Sequence, residues 1–429
     1  MRLTDYINAP SILKEEYFDT LSMQVGLRYF GGKSVIGKYL INRIFEMQAY
    51  RATTPNIKPA KIFVDCFTGG GKMALTIPTG WFDVIVMNDL NFGVYSFYKC
   101  CQECPLQLLE MIETIGKIMC RDTFFECAQF RSKLKFFETK EERENAPKPE
   151  DTRANRILSG AMTFWVTQGS WLGETDPERV TYAFGTEGKS ESLEIEKAIN
   201  IARKRIMQIN EKMTRQTYIV LNEDYKNVLK NWQSLFEEKG VTVENKEEII
   251  WYLDPPYHEA TLNKSNYSRP DITEEEKDKI HNDKEKSKES KPAPYEDSFP
   301  IELTMEMTEL LKDLKWFIKS DYDPALFFKP EEYVYTTGKY KGCDCYHDFD
   351  VIENIEEGFL RENLGAFHKG TSSGKDVGYE VIWSKYDGTP ESLEFMGITE
   401  EDREFWEKKK ITKAEWDKRH KQIGGCKYL

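Results

Sequence analysis

The chain has 429 residues, 40% hydrophobic and 31% charged, with a formal net charge of −13. That size fits one large α/β domain with insertions, or two to three domains, and the composition is that of a folded globular protein. The acidic balance argues against indiscriminate polyanion binding, and no run approaches the roughly 18 apolar residues of a membrane span.

The N-terminal "MRLTDYINAPSILKEEY" lacks the continuous apolar core of a signal peptide, so a cytoplasmic protein is expected. "LRYFGGKS" (27–34) has only the lettering of a phosphate loop: Leu27 stands where that pattern needs glycine. The later "GGGKM" offers Met73 where a magnesium-binding hydroxyl belongs, which excludes nucleoside triphosphate hydrolysis. "VIGKYLINRIFEM" reads as a helix before the apolar run "KIFVDCF" (61–67). That run enters Gly69, Gly70 and Gly71 and then a further helix; glycines there permit a tight turn and close approach of a ligand to the backbone. The next run, "FDVIVMND" (82–89), ends in Asp89, placed to accept hydrogen bonds from ribose hydroxyls. Together the two motifs favour an adenosine-bearing cofactor over a plain glycine turn beside a polar strand end.

Nine cysteines, an odd number scattered through a long chain, indicate reduced thiols. "CCQEC" (Cys100, Cys101, Cys104) and "CDC" (Cys343, Cys345) lack the second CxxC of a structural zinc site, so no metal is expected. From about 100 to 216 the strand rhythm stops. Ile195, Ile199, Ala202, Ile206, Ile209 and Met213 keep helical spacing, with Arg203, Lys204, Arg205, Lys212 and Arg215 mainly on other faces. Those charges read as a solvated surface or as phosphate contacts, and the region as a mainly helical insertion.

Strand runs resume with "TYIVLNED" (217–224), "IIWYLDPP" (249–256), "KWFIKSD" (315–321), "EYVYTTG" (332–338) and "YEVIWSKY" (379–386), and "LTMEMTELLKDL" (303–314) reads as a helix. The charged stretch 273–298 is expected to be a mobile loop, and 389–429 a charged extension. Near-continuous apolar strands alternating with helices predict an α/β, mostly parallel, doubly wound, Rossmann-like sheet.

In "IIWYLDPPY" the apolar strand stops at Asp254, because prolines cannot donate to a ladder. Asp254 and the Pro255 carbonyl then present two acceptors at a strand tip beside a nucleoside site. An exocyclic amino group such as adenine N6 offers two N–H donors that match them. Tyr257 supplies a flat face for the base, and a lone His258 reads as a loop residue.

With these pieces in this order, the sequence resembles the Dam-type (class D12, α-group) DNA adenine-N6 methyltransferases. "RYFGGKS" is similar to their N-terminal motif, "VDCFTGGGKMAL" to the cofactor glycine loop, and "NDLN" to the ribose-binding acid. "VLNEDYKNVL" resembles the segment whose acid reads the cofactor adenine, "LDPPY" the catalytic tetrapeptide, "FIKSDYD" a later strand, and "GKDVGYEVIWSKY" the C-terminal strand. The resemblance implies the S-adenosylmethionine-dependent methyltransferase fold, S-adenosylmethionine as cofactor (leaving S-adenosylhomocysteine), and double-stranded DNA as substrate. By the same likeness, Asp254, Pro255, Pro256 and Tyr257 are catalytic. Tyr29, Phe30, Gly31, Gly32, Lys33, Asp65, Phe67, Thr68, Gly69, Gly70, Gly71, Asn88, Asp89, Asp224 and Tyr225 would hold the cofactor.

The resemblance also implies a target-recognition domain at 100–216, inserted into a catalytic domain made of 1–99 and 217–388. "FWVTQGSWLG" and "VTYAFG" are similar to the start and end of the family's DNA-reading hairpin, with Thr167 and Leu172 in place of the usual asparagines. Trp171, Arg179, Tyr182, Arg203 and Arg205 are the candidates for DNA contact. Methylation of cytosine N4, an RNA acceptor, and a catalytically silent DNA-binding protein of the same fold remain alternatives at this point, as does a restriction endonuclease as partner.

Overall fold

Ten strands and eleven helices are placed in the computed structural model, which describes residues 3–9, 26–29, 37–178, 180–185, 189–256, 267–268, 301–322, 333–334, 344–345, 359–368 and 377–385. The strands are β1 (Ile62–Asp65), β2 (Val84–Asn88), β3 (Thr217–Leu221), β4 (Ile249–Leu253), β5 (Tyr267–Ser268), β6 (Phe317–Tyr322), β7 (Tyr333–Val334), β8 (Asp344–Cys345), β9 (Phe359–His368) and β10 (Val377–Lys385). The main sheet has the order β3-β2-β1-β4-β6-β10-β9. From β3 to β6 every pair is parallel, β10 runs antiparallel to β6, and β9 turns back antiparallel to β10. β5, β8 and β7 form a separate small antiparallel sheet.

Helices α1 (Leu3–Asn8) and α2 (Gly37–Thr53) precede β1, and the short α3 (Lys72–Thr76) follows it. Between β2 and β3 lie α4 (Phe92–Glu103), α5 (Pro105–Lys117), α6 (Arg121–Phe130), α7 (Lys140–Asn145), α8 (Arg153–Gly169) and α9 (Lys189–Arg215). Then come α10 (Tyr225–Glu237) after β3 and α11 (Ile301–Lys312) before β6.

Side chains alternate across a strand, so each strand splits between two cores. Val64, Val86, Ile219, Trp251, Leu253 and Phe317 face α10 and α11, packing with Val228, Trp232, Phe236, Met307 and Leu311. Phe63, Ile85, Met87, Tyr218, Val220, Tyr252 and Ile318 face the other way, into one cluster with Leu40 and Phe45 of α2 and with Phe97, Leu108, Trp165 and Ile206. Each such side chain contributes about 1.5–3 kcal/mol by leaving water. With both faces covered, an uninterrupted apolar run is what these strands require.

The helices between β2 and β3 share that second cluster with the sheet, and α4 runs unbroken through position 100. Helix boundaries follow local chemistry. Asn91 accepts the N–H groups of Gly93 and Val94 to cap α4, Pro105 opens α5, and Thr152 accepts from Asn155 to cap α8. One expectation is corrected here: Phe164–Gly169 is the end of α8, not a hairpin strand, and pairing among the described residues nearby is confined to an isolated antiparallel bridge between Ser170 and Tyr182. The reason is the burial of Phe164, Trp165 and Val166 on consecutive helical positions, with the Thr167 hydroxyl donating back to the Thr163 carbonyl at 2.9 Å. "EYVYTTG" yields β7 in the small sheet rather than a main-sheet strand. The stretches 273–298 and 389–429 lie outside the described residues.

The N-terminal ends of the parallel strands are closed by side-chain amides. Gln48 of α2 accepts from Ala60 N at 2.8 Å and donates to Ala60 O at 2.7 Å and Trp81 O at 2.9 Å. Gln216 accepts from Gly80 N at 3.1 Å and donates to Phe82 O at 3.0 Å and Asp83 O at 2.8 Å. Arg51 donates to the carbonyls of Lys58 and Glu247 and lies 4.4 Å from the Trp316 ring centroid.

Candidate active site

Parallel pairing in the order β2-β1-β4 brings three chain exits side by side at the opposite end of the sheet, with Asp65 in register with Met87 and Tyr252. The chain leaves β1 still paired, Cys66 N donating to Tyr252 O at 3.0 Å and Thr68 N to Asn88 O at 2.8 Å. It then turns, Gly71 N donating to Thr68 O at 2.7 Å. Gly69 (φ 45°) and Gly71 (φ 70°) sit in the left-handed region that glycine tolerates best. A Cβ on Gly71 would lie 2.5 Å from the Tyr98 hydroxyl, and one on Gly70 would lie 3.1 Å from Leu27 O and 3.2 Å from Tyr29 Cβ. The segment Leu27–Tyr29 therefore lies against the loop. Tyr98 of α4 holds the two together: its hydroxyl donates to Gly69 O and accepts from Leu27 N, both at 3.2 Å.

Asp89, expected as the ribose acid, accepts Gly69 N–H at 2.8 Å and Asn91 N–H at 2.9 Å, one on each carboxylate oxygen. These bonds orient the carboxylate toward the loop. Asn88 has a different task. Buried at 1% exposure, it donates to Cys66 O at 3.1 Å and Glu223 O at 3.0 Å and accepts Glu223 N–H at 3.0 Å, tying the ends of β1, β2 and β3. Asp224 caps α10 by accepting Lys226 N–H at 2.8 Å. The Tyr225 ring lies 5.4 Å from that of Phe67, and its hydroxyl donates to Leu303 O at 2.9 Å.

Asp65 shares the face of Phe63 and is 1% exposed, with Oδ1 lacking any hydrogen-bond partner. Burial, then the neighbouring Asp254 charge, pushes its carboxyl well above the ordinary value. Asp254 and Pro256 are half-buried and Pro255 is buried, directly after β4. Phe30, Gly31, Gly32, Lys33, Tyr257 and Arg179 lie outside the described residues.

Sequence reasoning passed over Arg131. Fully buried, it donates to Asn91 Oδ1 at 3.2 Å and Thr175 O at 3.1 Å, so a hydrogen-bonded chain runs from Gly69 through Asp89, Asn91 and Arg131 to the segment after Trp171. The readable part was Asn91, a capping residue immediately before an apolar helix.

Among the DNA-contact candidates, Trp171 is 55% exposed in a single 3-10 turn, Trp171–Gly173. A Cβ on Gly173 would lie 2.5 Å from Arg28 O, so this turn abuts the segment covering the glycine loop. Tyr182 bonds Glu191 through its hydroxyl and packs edge-on against Phe124 and Phe184. Arg203 pairs with Glu113 at 2.8 Å, whereas Arg205 reaches Gly26 O at 3.4 Å and Gln168 Oε1 at 3.3 Å. Cys100, Cys101 and Cys104 are buried free thiols, and among the described residues no group of three or more His, Cys, Asp or Glu could hold a metal. Nor is any helix among them long and apolar enough to cross a membrane.

No curated protein matches the chain. The sequence model of the D12 class N6 adenine-specific DNA methyltransferases matches residues 29–319, from the segment on the glycine loop through Asp254 to β6, leaving the resemblance seen at β10 outside the match. The chain therefore belongs to the D12 class N6 adenine-specific DNA methyltransferase family, enzymes that methylate adenine N6 in DNA.

Proposed function

We propose that the ends of β1, β2 and β4 hold S-adenosylmethionine beside an adenine rotated out of duplex DNA. The observation that carries this reading is the junction itself: a glycine turn, an oriented carboxylate on β2 and the Asp254–Pro255 acceptors meet at one sheet end. The residues present fit such a cofactor. Gly69 and Gly71 take left-handed backbone in the turn at the strand end, and Asp65 Oδ1 is a buried acceptor without a partner. Tyr29, Asp65, Phe67, Thr68, Gly69, Gly70, Gly71, Asp89, Asp224 and Tyr225 would hold it, joined by Phe30, Gly31, Gly32 and Lys33. Asn88 acts on it through the backbone. When bound, the cofactor supplies a methyl group on a sulfonium centre.

The chain's own work is to prepare the amine. Adenine N6 is a poor nucleophile because its lone pair is delocalised into the ring. Asp254 and the Pro255 carbonyl accept its two hydrogens, drawing the nitrogen toward tetrahedral geometry and aiming the lone pair. Stacking on Tyr257, worth about 1–3 kcal/mol, offsets part of the few kcal/mol that extruding a base costs. Much of the acceleration comes from alignment, which contributes up to about 7–11 kcal/mol. The layer from α5 to α9 reads the target, with Trp171, Arg179, Tyr182, Arg203 and Arg205 as contacts.

Asp254→Ala tests the assignment. Methyl transfer from tritiated S-adenosylmethionine should fall by at least about a hundred- to a thousandfold, the scale of losing one preorganised polar group. Cofactor affinity by calorimetry should stay within about tenfold. An active variant would remove Asp254 from the chemistry.

A further inference from the structure

Arg131 closes α6 and is fully buried, its backbone carbonyl accepting the Ser159 hydroxyl. Its guanidinium reaches two ways: Nη1 donates to Asn91 Oδ1 at 3.2 Å and Nη2 to Thr175 O at 3.1 Å. Asn91 already caps α4 through the N–H groups of Gly93 and Val94, so helix capping does not call for a cation there. Burying a guanidinium is unfavourable unless it is hydrogen-bonded, and here its bonds join two segments 84 positions apart in sequence, 91 and 175. Gly93 leaves room for the contact: a Cβ there would lie 2.1 Å from Thr163 Oγ1 and 3.4 Å from Arg131 Nη1. On one side of Arg131, Asn91 N donates to Asp89 Oδ1, and Asp89 Oδ2 accepts from Gly69 N. On the other side, Thr175 is buried and follows the exposed Trp171 by four residues. A second route joins the same two places. A Cβ on Gly173 would lie 2.5 Å from Arg28 O and 2.8 Å from Tyr29 N, and one on Gly69 would lie 3.1 Å from the Tyr29 ring. The segment 171–175 and the glycine loop thus belong to one closed ring of contacts.

We propose that Arg131 is a positioning residue that couples the segment 171–175 to the glycine loop, so that cofactor and DNA each strengthen the binding of the other; the inference rests on the function proposed above. Arg131 acts through Asp89, Asn91 and Thr175 rather than by touching a substrate. A cofactor with its ribose on Asp89 restrains Asp89 and Asn91, and through Arg131 the Thr175 carbonyl, which fixes the turn that carries Trp171. DNA that meets a segment already ordered loses less conformational freedom on binding, which is read as added affinity. Linkage makes the effect reciprocal: DNA on that segment raises cofactor affinity by the same factor. An enzyme built this way engages DNA preferentially once it carries cofactor.

The test uses the full-length protein and a duplex that it methylates, with S-adenosylhomocysteine as the probe, since that molecule keeps the ribose and cannot react. DNA affinity is measured by fluorescence anisotropy with and without the probe, and probe affinity by calorimetry with and without DNA. In the native protein each ligand should tighten the other by at least about fivefold, the lower end of ordinary coupling between sites. Two variants cut the chain at different places. Arg131→Met removes the bridge, and Asn91→Ser keeps a good helix cap while withdrawing the longer acceptor from Arg131. In both, the ratio should fall to about one while each ligand alone still binds. Hydrogen exchange on the native protein needs no variant: the probe alone should slow exchange at the Glu174 and Val180 amides, which bond Trp171 O and Asp176 O. A native ratio of one, unchanged exchange at those amides, or a folded variant that keeps the native ratio overturns the coupling alone. A variant that loses affinity for both ligands with the ratio kept marks a purely structural role and overturns it too. A native protein that binds no S-adenosylmethionine and methylates no duplex overturns the function as well.

Discussion

The two ends of the parallel strands are both polar and both buried, yet they are built on opposite principles. At the N-terminal end, neutral amides from Gln48 and Gln216 meet backbone groups one for one, so every donor and acceptor of those amides is answered locally. At the C-terminal end stand carboxylates. Asp89 is oriented by two N–H groups, Asp65 is pushed up with one oxygen unanswered, and Asp254 follows directly on β4. A satisfied amide stabilises; an unanswered buried carboxylate oxygen costs free energy, as does the unanswered Arg51 Nη1 at the N-terminal end. That contrast supports the site proposed at the C-terminal end.

Mutations can break or sharpen this contrast. The largest stability effect is expected at the closed end. Gln48→Ala orphans one N–H and two carbonyls, at about 1–3 kcal/mol each, and should lower the urea midpoint markedly while kcat and KM of the folded enzyme stay put. A changed KM would show that the closed end is not merely structural. Gly71→Ala at the open end should do both things at once: about 1–3 kcal/mol of backbone strain and a weaker cofactor affinity, read by paired melting and calorimetry.

Asp65→Asn gives a sign rather than a size. Because burial and Asp254 raise the folded carboxyl, the native state holds its proton more tightly than the unfolded chain. Stability is then full below the ordinary carboxylate value near pH 4 and falls as pH rises toward the raised folded value. Asn does not titrate, so the variant should lose less stability than the native protein between pH 5 and 8 in urea titrations; parallel profiles would contradict the raised carboxyl. The smallest effect belongs to Arg203→Ala, where an exposed ion pair is worth about 0–1 kcal/mol. Its melting temperature should barely move, so any loss of DNA affinity reports contact rather than folding.

The strands that build the site were legible because both faces are covered: "KIFVDCF", "FDVIVMND", "TYIVLNED" and "IIWYLDPP" each show the continuous apolar run that double burial demands, and each contains a main-sheet strand. β9 was missed because it is an edge strand, paired on one side, whose "FLRENLGAFH" alternates too little to signal. "FWVTQG" misled because an aromatic run carries no period, and its burial in a helix end depends on Phe184 and Ile112, distant in sequence. The glycine turn and Asp89 were readable from local spacing. The Asn91–Arg131 link was not, since it joins positions 40 residues apart through a buried side chain. Such long-range polar contacts leave no periodic trace.

The phenol of Tyr98 gives the glycine loop an unusual owner. It grips Gly69 O from 29 positions downstream and, with the same oxygen, receives Leu27 N–H from 71 positions upstream. The shape of the loop, and of the cofactor cradle proposed there, is thus set by a residue outside it, in the helix after the next strand. Selection or engineering could retune that wall by altering α4, leaving every glycine untouched.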